Sequence, residues 1–280
     1  MSADLAQIER VAAFSDGGAG GNPAGVWVGQ THPAAARMQA IAAGVGYSET
    51  AFAVNEGGVW RVRYFSPESE VPFCGHATIA LGAVLARRFG AGVFSLQLNQ
   101  ANITVEGRLC DGALKVALQS PPTRSAPAAP ALVAEALALF GYTPGQLDAR
   151  IAPALAHGGA DHLVVCLNSR AALAAMRYDL AAGRSLMARA GLVTIMLAFA
   201  ENDRLFHARN PFASGGVYED PATGAAAAAL AGYLRDLGWP HGGAIDIVQG
   251  EDMGMRSRLR AEIGPVAGGS IRVSGTARSI

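Results

Sequence analysis

Short runs in which apolar and polar positions alternate dominate the first 120 residues. Residues 26–28, 51–54, 59–65, 93–98, 103–106 and 114–118 are rich in Val, Ile, Leu and Phe and too short for helices, so each is predicted to be a β-strand. Residues 33–43 and 77–88 have helical spacing instead. From 120 to 131 the chain reads Ser-Pro-Pro-Thr-Arg-Ser-Ala-Pro-Ala-Ala-Pro-Ala, and four prolines in a dozen residues predict a linker rather than a continuous helix or central strand. Beyond it, helices are expected over 131–140, 170–178, 180–190 and 222–237, with strands before the last. Strands and helices mixed in each half, without regular βαβ alternation, predict an α+β fold. The expected organisation is an N-terminal half of 1–119, a linker of 120–131 and a C-terminal half of 132–265, with a final strand in 266–280.

Composition narrows the function classes. The 280 residues suit one large domain or two modest ones, and only 16% are charged, against a usual value of about 25%. Basic and acidic residues cancel at 22 each, so no net field favours nucleic acid or an anionic membrane. The apolar stretches 192–200 and 224–234 are too short to span a bilayer, and Asp4, Glu9 and Arg10 precede any apolar run, unlike a signal peptide. Cys74, Cys110 and Cys166 are too few and too scattered for a disulfide framework, so a reducing, cytoplasmic setting is expected. His157 and His162 are spaced like half a zinc site, but no Cys-x-x-Cys accompanies them, and no metal is expected. Lys115 is the only lysine and sits in a strand-like stretch, an unpromising place for Schiff-base chemistry such as that of pyridoxal phosphate.

A weak internal repeat links the halves. Arg63-Tyr64-Phe65 precedes a loop and then Cys74-Gly75-His76-Ala77-Thr78, which opens a small-residue helix. Arg204-Leu205-Phe206 precedes a longer loop and then Asp220-Pro221-Ala222-Thr223-Gly224, which opens another. The repeat predicts a pseudo-twofold protein with a site between its halves. Asp220 is a favoured N-cap and Pro221 a favoured first helical residue, so the second helix is expected to start there. The run from Gly224 to Ala229 leaves its first turns approachable by a ligand, and the amide donors and dipole of a helix start suit a carboxylate or phosphate. Cys74-Gly75-His76 shares these features, and Arg87-Arg88 complement that helix's C-terminus. On residue type alone, His76 reads more readily as a surface or satisfied core histidine than as a catalyst. Glu49 reads as a solvated group at a strand edge, and Cys74 as a small buried hydrophobe.

In these motifs the sequence resembles the PhzF-like isomerase family of phenazine biosynthesis, which shares the diaminopimelate epimerase fold. The resemblance runs nearly end to end. Phe14 and Gly21-Asn22-Pro23-Ala24-Gly25-Val26 resemble its opening strand and Gly-Asn-Pro turn, and Ser48-Glu49-Thr50-Ala51-Phe52 its Ser-Glu-Thr-x-Phe motif. Arg63-Tyr64-Phe65-Ser66-Pro67, Glu70-Val71 and Cys74-Gly75-His76-Ala77-Thr78 match its central signature. Glu219-Asp220-Pro221-Ala222-Thr223-Gly224 matches the second, and Gln249-Gly250 with Met253-Gly254 its late strand pair.

The resemblance implies two similar halves, each a curved sheet around a central helix, with the active site in the cleft between them and a final strand, 271–273, returning to the first half. It implies that Glu49 is the general acid/base, shuttling a proton between two carbons of a small carboxylate without a cofactor. His76 and Asp220 would position the substrate and share in proton handling, and substrate binding would fall to Cys74, Gly75, Thr223, Gly224 and the position of Ala225. The family's second signature usually continues Gly-Ser, and that serine contributes to the site; Ala225 removes its hydroxyl here. Cys74-Gly75-His76-Ala77 replaces the phenazine enzyme's Ala-Gly-His-Pro, and Met255-Arg256-Ser257 replaces a common Arg-Pro-Ser, so the expected substrate is not the phenazine precursor. Two other functions compete. One is a Cys74-dependent racemase or epimerase, with Asp220 at the opposing position and Cys110 and Cys166 outside any helix-start motif. The other is a small-carboxylate binding protein that kept the site without turnover. The low charge content predicts a homodimer.

Overall fold

The structure, a computed structural model, describes residues 5–280; Asp4 lies outside the described residues. It divides into two compact units: the described residues up to Pro121 together with Ser274–Ile280, and Pro122–Val273. The first unit contains β1 (Glu9–Ser15), β2 (Asn22–Gly29), α1 (Ala35–Val45), β3 (Thr50–Glu56), β4 (Val59–Phe65), β5 (Glu70–Val71), α2 (Gly75–Phe89), β6 (Gly92–Gln97), β7 (Asn102–Cys110) and β8 (Ala113–Pro122). The second contains β9 (Arg124–Pro127), α3 (Pro130–Phe140), β10 (Ala154–His157), β11 (Asp161–Leu167), α4 (Arg170–Ala174), α5 (Leu180–Ala190), β12 (Thr194–Ala200), β13 (Leu205–Arg209), α6 (Gly224–Leu237), β14 (Ala244–Gln249) and β15 (Ser257–Glu262), and the start of β16 (Ser270–Ser279). The end of β16 pairs antiparallel with β1, Val11 opposite Ser279.

The two units use the same order of pairings. In the first, β1 and β2 are antiparallel, β2 and β3 parallel across α1, β3 and β4 antiparallel, and β4 and β6 parallel across α2. In the second, β10 and β11 are antiparallel, β11 and β12 parallel across α4 and α5, β12 and β13 antiparallel, and β13 and β14 parallel across α6. The repeat that few residues betray is therefore a repeat of topology.

In each unit one sheet face meets an outer helix and the other a central one. Met38 and Ile41 of α1 pack with Trp27, Phe52, Val54 and Phe65. Leu186 and Met187 of α5 pack with Leu163, Val165, Ile195 and Leu197. The central helices are buried almost all round, α2 from Gly75 to Ala86 and α6 from Gly224 to Leu234, which their Ala and Gly content makes sterically possible. A Cβ on Gly107 of β7 would lie 2.5 Å from the Gly82 carbonyl of α2, and one on Gly158 would lie 2.6 Å from the Ala225 carbonyl of α6. Only glycine allows these two approaches.

Three local expectations are corrected. The proline-rich stretch 120–131 is not a linker: it holds the end of β8, the whole of β9 and the start of α3. Pro121 and Pro122 close β8, while Pro127 on β9, which pairs with β10 alone, and Pro130 at the first turn of α3 sit where a missing N–H costs little. The helix expected over 170–178 stops at Ala174 because Arg209 Nη1 takes the carbonyls of Ala174 and Met176, while Tyr178 stacks on Tyr218 at 4.5 Å. The helix expected from 222 begins at Gly224 with Thr223 as N-cap, so Asp220 and Pro221 lie ahead of it. Among the described residues, no helix is long and apolar enough to cross a membrane.

Candidate active site

Glu49 immediately precedes β3, where its carbonyl accepts a hydrogen bond from Gly25 N–H at 3.2 Å. Cys74 is the N-cap of α2, in extended conformation and without a side-chain cap, and His76 lies in the first turn. A polar relay holds this start in place. Tyr64 O–H donates to Thr78 Oγ1 at 2.7 Å, and Thr78 Oγ1 donates in turn to the Cys74 carbonyl at 2.7 Å. Residues 27 apart in sequence thereby meet: Glu49 Oε2 lies 3.4 Å from His76 Nε2, with the two side chains 6% and 4% exposed. His76 Nε2 also approaches Ser48 Oγ at 3.3 Å, and its Nδ1 approaches Cys74 Sγ at 3.4 Å.

The approach of Glu49 to His76 is a contact and not a hydrogen bond, since Glu49 Oε2 is buried without a hydrogen-bond partner. Burial raises the Glu49 pKa above the ordinary carboxylate range, with hydrogen bonds to Ser48 and Cys74 pulling partly back. Burial alone pushes His76 down to about 3. Both shifts favour the uncharged forms, so this is not a fixed ion pair. Glu49, Cys74 and His76 also offer ligand atoms within 4.8 Å of one another. The imidazole, however, turns Nδ1 toward the thiol and Nε2 toward the carboxylate, so no one nitrogen serves both neighbours as a cation site would need.

The start of α6 is built differently. Thr223, the N-cap, makes no side-chain cap; its Oγ1 donates to Asp220 Oδ2 instead. Gln249, at the end of β14, accepts from Thr223 N–H at 3.2 Å and donates to the Asp220 carbonyl at 2.7 Å. Asp220 N–H donates to the Asn210 carbonyl at 3.0 Å. Beside it, Arg209 and Glu219 form a buried two-pronged ion pair. Asp220 is 3% exposed and Ala225 7%, so small side chains and a held carboxylate surround this helix start.

The structure thus brings Glu49, Cys74, Gly75 and His76 together in the first unit, and Asp220, Thr223, Gly224 and Ala225 together in the second. In the shared topology the counterpart of Cys74 is Thr223, each an N-cap followed by glycine, and not Asp220. Sequence reasoning assigned no role to Ser48, Arg209 or Gln249, although Ser48 and Gln249 stood in recognised motifs. His157 and His162 do not form a half-site: His157 Nδ1 bonds Asp161 at 2.9 Å, and His162 Nδ1 bonds Thr194 Oγ1 at 2.7 Å.

An α+β protein with an acid, an imidazole and a thiol at one buried helix start has the makings of an isomerase. The sequence profile of the phenazine biosynthesis-like protein family (PhzC-PhzF) matches residues 11–280, and the chain belongs to that family. A trans-2,3-dihydro-3-hydroxyanthranilate isomerase of Pseudomonas aeruginosa is 32% identical over 273 residues, covering 91% of this chain and 90% of the relative. An uncharacterized isomerase of Mesorhizobium japonicum is 32% identical over 260 residues, covering 86% and 85%. The crystal structure of a Bacillus anthracis phenazine biosynthesis protein of the PhzF family matches with a TM-score of 0.85 at 20% identity, over 98% of this chain and 96% of that one. The protein is an isomerase of this family.

Proposed function

We propose that the protein is a cofactor-independent isomerase that moves a proton between two carbon atoms of a small carboxylic acid, with Glu49 as the general acid/base. The observation that carries this reading is the buried, unpartnered Oε2 of Glu49 beside His76. A carboxyl group with a raised pKa gives up and takes back a proton near neutral pH, which an ordinary surface glutamate does poorly. The Glu49 carboxylate takes a proton from one carbon. The electron pair left behind delocalises into the substrate's unsaturated carboxylate, and the Glu49 carboxyl returns the proton to a second carbon. His76, kept neutral by burial, hydrogen-bonds the substrate beside Glu49, and Asp220 shares in proton handling. Each helix start, with backbone amides at Gly75 in the first unit and at Thr223 and Gly224 in the second, suits a substrate carboxylate, favoured by its dipole. Cys74 borders the first start and Ala225 the second.

A second reading rests on the 3.4 Å approach of Cys74 Sγ to His76 Nδ1, which suits a one-thiol racemase or epimerase. One experiment separates the two. The protein is incubated in deuterated water with a panel of dihydroaromatic, amino and hydroxy acids, and carbon-bound exchange is followed by NMR. Exchange lost in Glu49→Gln and kept in Cys74→Ala supports the proton shift, and the reverse pattern supports the thiol. Binding detected by thermal shift with no exchange across the panel would make this a carboxylate-binding protein. The exposed Phe89, Val93 and Leu109 of the first unit, with the low charge content, support a homodimer, which light scattering tests. Three cysteines outside any disulfide suit a reducing, cytoplasmic setting.

A further inference from the structure

We propose that the side-chain amide of Asn210 is a substrate contact that selects an amino- or hydroxy-substituted carboxylate over an unsubstituted one. Asn210 follows the last residue of β13, and the proline after it favours extended backbone at Asn210. The alternation of the strand therefore continues, with Phe206, Ala208 and Asn210 on one face and His207 and Arg209 on the other. Ala208 is the register partner of Gln249 on the parallel neighbour β14, so their side chains leave the sheet on the same side. That side is the start of α6, because Gln249 bonds Thr223 and Asp220 there. Arg209 points the opposite way, to Glu219 and the carbonyls of Ala174 and Met176. The Asn210 side chain thus shares the face that meets the α6 start, and its own carbonyl is bonded to Asp220 N–H.

Asn210 is 0% exposed, yet neither Oδ1 nor Nδ2 has a hydrogen-bond partner. Buried polar groups are ordinarily paired, and leaving both ends of an amide unmet costs stability. The surrounding polar side chains are already engaged: Gln249 with Thr223 and Asp220, and Asp220 with Thr223. What remains is an acceptor and a donor group in one fixed place. A bare carboxylate only accepts hydrogen bonds, so it satisfies Nδ2 and leaves Oδ1 stranded. A carboxylate carrying a nearby amino or hydroxyl group satisfies both. The inference rests on the proposed carboxylate substrate, but its test does not require turnover.

Wild type and Asn210→Leu are titrated with 2-aminobenzoate and benzoate, and with lactate and propionate, by ligand-observed NMR, and both proteins are melted without ligand. The wild type should bind the substituted acid of a pair at least tenfold more tightly, and the leucine variant should bind both alike. Its ligand-free melting temperature should be unchanged or higher, since an unpaired buried amide is replaced by an apolar group of similar size. Asn210→Asp, which keeps the acceptor and loses the donor, should weaken binding of the substituted acids at least tenfold and carries the test if the leucine variant does not fold. No preference in the wild type, a preference retained in Asn210→Leu, or undiminished binding by Asn210→Asp would overturn the proposal. A lowered melting temperature with the preference intact would mark Asn210 as a structural group and overturn it too. If Glu49→Gln exchanges protons as fast as wild type, the proton-shift reading falls, while the acid preference still decides the role of Asn210.

Discussion

His76 Nε2 and Glu49 Oε2 lie 3.4 Å apart with their side chains 4% and 6% exposed, and burial drives the two pKa values in opposite directions. A base acts when deprotonated, so kcat/KM should fall as pH drops through the Glu49 pKa, and burial places that limb above the ordinary carboxylate value of 4.5. Glu49→Gln should reduce exchange by about 10²–10⁴-fold. An acidic limb at or below the ordinary value, in a pH range where the fold is intact, would remove Glu49 as the base.

Cys74 touches His76 Nδ1 and hydrogen-bonds Glu49 but makes no side-chain cap of α2, so the helix start does not depend on its sulfur, and in the proposed proton shift the thiol only tunes Glu49. Cys74→Ala should keep proton exchange within about tenfold of wild type, a smaller loss than removal of an acid/base group brings. A far larger loss, measured in the same assay, would favour the one-thiol mechanism.

Arg209 and Glu219 are 8% and 3% exposed, and the guanidinium also holds two carbonyls beyond α4. Glu219→Ala leaves that buried charge unpaired, and urea unfolding should show a loss of about 3–5 kcal/mol. Replacing both residues with leucine and methionine should recover much of the stability. It should not recover activity, because the pair flanks the backbone link from Asn210 to Asp220. Full activity in the double variant would refute that positioning role.

His162 is fully buried, with Nδ1 bonded to Thr194 and Nε2 unpartnered, and burial pushes it from 6.5 down to about 3. Between those values the unfolded chain binds a proton that the folded one refuses, so stability is lost as pH falls from 6.5 toward 3. Between about pH 7 and pH 5 the loss is on the order of 2 kcal/mol. His76 adds a loss in the same direction. Glu49, with its raised pKa, acts the opposite way: its share of stability is present below the ordinary carboxylate range and is lost as pH rises through its folded value. His162→Gln should flatten the acid side of a melting-temperature profile, and an unchanged slope would show that His162 is not the titrating group.

Motif order and the small-residue makeup of both central helices are properties of the chain itself, and they were enough to set the family and the α+β class. These are legible because they depend on residue type and short spacing. The start of α6 was misread because Asp220-Pro221 has the local signature of a cap, while Gln249 on a distant strand and Thr223 together claim Asp220 instead. The truncated helix at 170–174 has the same cause: Arg209, 35 residues on, takes carbonyls that local propensity would have left to the helix. Tertiary structure alone decided which carboxyl loses its water and which side-chain amide is buried without a partner. Desolvation and hydrogen-bond pairing are set by what the rest of the fold brings up against a residue, and no window of neighbouring sequence contains that information.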